Sequence, residues 1–187
     1  MKTKLASLVM IVIFSVPCVL QAQVYGTGQT LRSGRASFGV EPVVYSYRNG
    51  NSDFYLFFHG GLGLTSGFDL GARLGVLGNR TYFGGDFEWN LHSRNPAISL
   101  GVGVHSFHNV GLDGTVNISF ASTRGLQMYS GLDMDVTFTD PGTRTPIWLP
   151  VGFAFPFRQT VEMLLEVEVG LNDEAWTILG GGVNFYF

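Results

Sequence analysis

Asp133 and Asp135 stand two residues apart, and Glu162, Glu166 and Glu168 keep the same even spacing further along the chain. Carboxylates gathered on one side can bind cations or exchange protons. Histidines at positions 59, 92, 105 and 108 could add imidazole to either chemistry, and Ser106 beside His105 raises the question of a nucleophile. Spacing by two brings side chains together only on a β-strand, where alternate residues share a face; on a helix they diverge. The chemistry therefore depends on whether these residues lie on strands, and on which side of the sheet they fall.

Period two dominates from Ala36 onward. Ten segments can be read, at 36–48, 52–65, 67–77, 81–92, 97–107, 110–121, 126–139, 146–157, 160–171 and 175–187. Turn residues separate them: Asn49-Gly50, Ser66-Gly67, Gly78-Asn79, Asn95-Pro96, Arg124-Gly125 and Asn172-Asp173. The stretch TDPGTRTP, Thr139 to Pro146, reads as the longest connection, and the joint near His108-Asn109 is the least marked. Most segments are longer than the usual globular strand of about five or six residues. They match a tilted membrane strand of roughly nine to eleven.

Composition narrows the class. Lys2 and Lys4 precede an apolar run from Leu5 to Leu20, and Ala22 supplies a small residue for cleavage, so residues 1–22 are expected to be a signal peptide. Residues 23–35 then form a short periplasmic lead, and 36–187 form one β-barrel domain. The single cysteine and both lysines fall within residues 1–22, which leaves nine arginines against fourteen acidic residues beyond them. A surface without lysine is unusual for a protein bathed in water. No basic patch suggests nucleic acid. No phosphate loop or metal-spaced Cys/His set is present, so no cofactor is expected, and a metal is left open.

Two architectures share the alternation. A soluble lipocalin-like barrel turns its apolar face in, whereas an outer-membrane barrel turns it out to lipid. The polar face decides between them. It is rich in glycine, including Gly71, Gly84, Gly103, Gly131, Gly152 and Gly180, and it carries Trp148, Pro150, Ala154 and Pro156. That is poor cover against water, but it suits the crowded concave wall of a narrow barrel. Backbone groups in lipid must all pair, so the sheet must close, and an even number of strands lets the first and last meet antiparallel. The expected fold is all-β: a closed antiparallel up-and-down transmembrane β-barrel of ten strands, with eight as the alternative. Aromatics near the segment ends, Tyr45, Tyr47, Tyr82, Trp89, Phe107, Phe138, Trp148, Trp176 and Tyr186, are expected to ring the lipid interfaces.

The leader, the ten alternating segments and the terminal Val183-Asn184-Phe185-Tyr186-Phe187 resemble small bacterial outer-membrane β-barrel proteins of the OmpA/OmpX-like superfamily. The resemblance implies an outer-membrane location, outer-membrane lipid as surroundings, and recognition of Val183, Phe185 and Phe187 as an assembly signal by the barrel-assembly machinery. Oligomeric state stays open. With a periplasmic N-terminus, the connections at Asn49, Asn79, Asn109, Pro141 and Asp173 face outside.

The polar face then gathers a lumen cluster of Glu41, His59, Asp69, Arg73, Asp86, Glu88, His92, His105, Asp113, Asp133, Asp135, Glu162, Glu166 and Glu168. The preferred reading is a largely filled, hydrogen-bonded lumen in a non-enzymatic protein with a structural or surface role. The first alternative is a small cation-preferring channel, because an excess of acids favours cations. A second is a lipid-modifying enzyme. His105-Ser106 resembles the His–Ser stretch of outer-membrane lipid A deacylases, but the residue two beyond His105 is Phe107, not serine. Asp133-x-Asp135 resembles the paired aspartates of ten-stranded outer-membrane proteases, without their Asp–His pair or tall extensions.

Overall fold

The computed structural model describes Thr27 and residues 29–107, 109–122, 125–140 and 142–187. The leader, His108 and Pro141 lie outside the described residues. The strands are β1 (Ala36–Ser46), β2 (Ser52–Thr65), β3 (Phe68–Val76), β4 (Tyr82–His92), β5 (Ala97–Phe107), β6 (Asn109–Ala121), β7 (Gln127–Thr139), β8 (Gly142–Arg144), β9 (Ile147–Arg158), β10 (Val161–Gly170) and β11 (Thr177–Tyr186). Each pairs antiparallel with its neighbours, β6 joins β7, and β11 returns to β1. The sheet has no free edge, so every stave finds hydrogen-bond partners on both sides.

The barrel has ten staves, because β8 and β9 are two parts of one. Residues 142–144 continue the ladder on Thr137–Thr139, and Pro146, which has no N–H to give, separates them from β9. Pro146 still contributes its carbonyl, accepting from the Asp135 amide at 3.1 Å. TDPGTRTP is thus mostly strand rather than loop. The long overhang of β7 leaves backbone groups that this segment can pair. At the first hairpin, Gly50 adopts φ +82° and donates its N–H to Tyr47, while the Tyr47 amide donates to Asn51. This is the three-residue turn that demands a left-handed glycine.

The ladders are staggered. Partners followed from Phe38 through Gly60, Ala72, Gly85, Val104, Leu112 and Val136, then on through β9, β10 and β11, return to β1 about twelve residues from the start, as closure with strands tilted by about 40° requires. Register bulges fall at Gly63/Thr65, Asn90/His92 and Val161/Glu162. All three sit at the end where the N-terminal segment enters, called proximal below. The distal end carries the Asn49 hairpin.

The outer wall is apolar on every stave. Thirty-five large hydrophobic side chains are exposed among the described residues, including Phe54, Phe83, Val102, Leu132, Phe153 and Leu165. Between the rims no acidic or basic residue occupies an outward position on any of the ten staves; at the proximal rim, past the bulges, the exposed His92 and Arg158 stand opposite Ile98 and Val161. The buried positions point the other way and include His59, Asp69, Ser99, His105, Asn117, Glu166 and Asn184. Such a molecule has its polar groups inside and its grease outside, the reverse of a water-soluble domain.

Candidate functional site

The lumen is the site, and its glycines explain how it is built. At most inward glycines a larger side chain from an adjacent stave lies where a Cβ would be. His59 crosses Gly39, the Asp86 carboxylate lies on Gly71, Tyr129 covers Gly152, and the His105 ring sits against Gly111. These partners are register neighbours, as in His59↔Gly39 and Tyr129↔Gly152. Missing side chains on one stave therefore make seats for large ones on the next.

Three levels follow along the axis. At the proximal end the N-terminal segment enters the mouth. The Leu31 amide donates to Asp69 at 2.7 Å, the Thr27 carbonyl accepts from Ser99 at 3.3 Å, and Leu31 packs against Tyr186. Gly34 and Gly63 exchange backbone bonds with Gly63 and Arg35 at 2.7–2.8 Å, which ties the segment to β2. A cavity of about 440 Å³ lies below it, lined by Thr27, Gln29, Arg32 and Glu162. Glu162 accepts from the Tyr186 hydroxyl, and Glu88 from Ser99.

At mid-height Glu41, Arg73, Asp86, Asp133, Glu166 and Glu168 converge from different staves. Arg73 Nε lies 4.0 Å from Asp86, and Thr115 donates to Asp133 at 2.5 Å. Arg73 is the one arginine at this level among the described residues. Above it His105 pairs with Asp113, and Asp135 stands opposite Asp113 on β7. A second cavity, of about 510 Å³, runs from Leu31 past these acids to Arg80 and Arg144 at the distal mouth.

The distal third is aromatic. Tyr45, Tyr55, Phe57, Tyr82, Phe107 and Trp176 pack with ring centroids 4.9–6.4 Å apart. Trp148 packs on Trp176 and donates to its carbonyl at 2.9 Å. This corrects the interfacial reading of Tyr45, Tyr47, Tyr82, Phe107, Trp148, Trp176 and Tyr186. Tyr47 packs on Trp176, and the others face inward. Trp89 and Phe138 do face out. Strand parity overrides the aromatic preference for interfaces: Tyr45 shares the face of Glu41, and Tyr82 that of Asp86. Loop contacts cap the rim. Arg48 pairs with Asp173 at 2.6 Å, and Asp53 accepts from Tyr47 and Asn79. Tyr47 lies in the loop after β1, where burial and the Asp53 hydrogen bond push its hydroxyl above the usual phenol range.

Of the sequence-expected cluster, Glu41, His59, Asp69, Arg73, Asp86, Glu88, His105, Asp113, Asp133, Asp135, Glu162, Glu166 and Glu168 stand at inward positions. His92 is different. It lies exposed at the proximal rim, because the bulge at Asn90/His92 ends the regular alternation there. Sequence reasoning missed the N-terminal segment in the mouth and the inward aromatics. Val183 and Phe185 face outward on β11, and the exposed Phe187 follows them, its amide donating to Ala36 at 3.3 Å across the seam.

The chain matches no protein-family model and no curated protein. Solved structures resemble it at a distance. The N-terminal β-barrel domain of Pseudomonas aeruginosa OprF aligns at TM-score 0.41 and 13% identity, over 83% of this chain and 98% of that one. A de novo designed transmembrane β-barrel aligns at 0.42 and 11%, over 83% and 98%. The Acinetobacter baumannii outer membrane protein Omp33 aligns at 0.41 and 8%, over 83% and 100%. At such distances, what the chain does has to be read from its own residues.

Proposed function

We propose that the chain is an integral β-barrel of the bacterial outer membrane, set in lipid by its outer wall, with a structural or surface role rather than a catalytic one. One observation carries this reading: between the two rims, ten staves present large apolar side chains outward and not one charge. Each such side chain left in water forgoes about 1.5–3 kcal/mol, and a continuous wall of them would aggregate. In this reading residues 1–22 direct export and are removed, outer-membrane lipid is the surrounding medium, and Val183, Phe185 and Phe187 are the strand that the assembly machinery grips. Membership of the OmpA/OmpX-like superfamily belongs to the same proposal.

A gel of the detergent-solubilised protein tests it. A compact band that shifts only on boiling, from a chain that sediments with outer membranes, is the expected result. A monodisperse chain in plain buffer would sink it.

A small cation-preferring channel is the second reading, favoured by the acids around the upper cavity against Arg73 at its centre. The N-terminal segment separates the two cavities, so the full chain is expected to pass little current in a planar bilayer. Deleting residues 23–33 is expected to raise conductance several-fold and to favour potassium over chloride. Glu168→Gln in that background should lower the preference. An unselective current, or none, removes the channel reading.

A further inference from the structure

We propose that His105, Asp113 and Asp135 form a binding site for one divalent first-row transition-metal ion inside the lumen. One donor atom from each residue lies within 4.8 Å of the others. They come from three successive staves, β5, β6 and β7, at one height. An ion held by imidazole at about 2.0–2.1 Å and by carboxylate at about 2.0–2.2 Å places its donors roughly 3–4 Å apart. The three side chains therefore reach one centre by small rotations.

The pairing supplies a separate reason for a cation here. Asp113 and Asp135 are direct register partners across β6 and β7. Like charges directly opposite one another destabilise a sheet. In the lumen, shielded from bulk water, the two carboxyls can both stay ionised only with a cation between them. Arg73 makes its ion pair with Asp86. A doubly charged cation bridging the two carboxylates, with neutral imidazole as third ligand, balances the local charge.

The surroundings are arranged to hold the imidazole. His105 is 6% exposed. Its ring lies against Gly111, its own register partner, where any Cβ would collide with it. Tyr82 stacks on the other side at 5.8 Å and 17°. The rotamer is thus fixed before any ion arrives. All three ligands line the upper cavity, which gives an ion a path from the distal mouth and room for water in the remaining positions. One imidazole with two carboxylates suits zinc, manganese or iron(II) over soft copper(I), and the nitrogen ligand disfavours calcium and magnesium.

The test uses the full chain, refolded in detergent and stripped with a chelator, with zinc and cobalt(II) as probes. One zinc per chain is expected, with cobalt(II) giving visible d–d bands. His105→Asn and Asp135→Asn should each weaken zinc by about 100-fold and change those bands, and His92→Asn, at the exposed rim, should leave both unchanged. Stability gives an independent sign. Zinc is expected to raise the melting point of the unsubstituted chain and to leave that of Asp135→Asn nearly unchanged. Only the unsubstituted chain keeps all three ligands and gains from the ion. The proposal fails if micromolar zinc does not bind, if binding survives both substitutions, or if equimolar calcium or magnesium displaces it. It also fails if zinc raises the melting points of both chains equally.

Discussion

Leu165→Arg is expected to cost about 2–4 kcal/mol of stability in lipid, while the same change at Leu171 costs about 0–1 kcal/mol. Leu165 lies midway along β10, 58% exposed, with Phe153 and Gly181 as its cross-strand partners. A guanidinium there must shed its water or drag water and headgroups into the hydrocarbon. Leu171 is just as open, at 51%, but lies beyond the distal end of the strand, where an arginine can reach the interface. Urea titration of each variant in lipid vesicles measures both. Two equally small effects would mean that no hydrocarbon surrounds the barrel. Two equally large ones would mean that Leu165 and Leu171 pack against protein instead.

Gly152→Val is the second large effect, expected at about 3 kcal/mol, the upper range for overpacking. Tyr129 is 2% exposed and its ring covers Gly152, with Ala154 and Leu164 completing the cluster. A valine side chain cannot share that space, and the ring has no free volume to enter. Tyr129→Ala alone removes a buried ring and is also destabilising. Combined with Gly152→Val, it vacates the volume the valine needs, so the double variant should be more stable than the sum of the two losses predicts. A coupling of about 1–3 kcal/mol, read from unfolding in a common detergent, is the expected value. Strict additivity would show that the two positions do not compete for space.

Much of the barrel was legible because a strand has only two faces. Alternation in 126–139 and 160–171 separates Leu132 and Leu165 from Asp133 and Glu166, and ten such segments imply closure. Glycines on the polar face gave the direction. The distal aromatics could have been placed by the same rule, since Tyr45 and Tyr82 keep the parity of the acids. Expecting rings at a lipid interface obscured it. Other features were not legible for physical reasons. The match of Gly152 to Tyr129, or of Gly111 to His105, depends on the stagger between staves, and no single stave encodes it. Thr27 to Arg35 has no periodicity, so nothing local says that Leu31 enters the mouth. The convergence of His105, Asp113 and Asp135 needs three registers at once.

The N-terminal segment bears on the order in which the barrel is made. Its polar attachments reach Gly63 on β2, Asp69 on β3 and Ser99 on β5, all on the first five of the ten staves. A curved half-shell of those staves already offers the hydrogen bonds to the barrel that the described residues of the segment make. Only Tyr186 on β11 meets Leu31 from the late side. The last seam can therefore shut around a bore that is stoppered beforehand, so the nascent protein need never pass through a stage with an open bore.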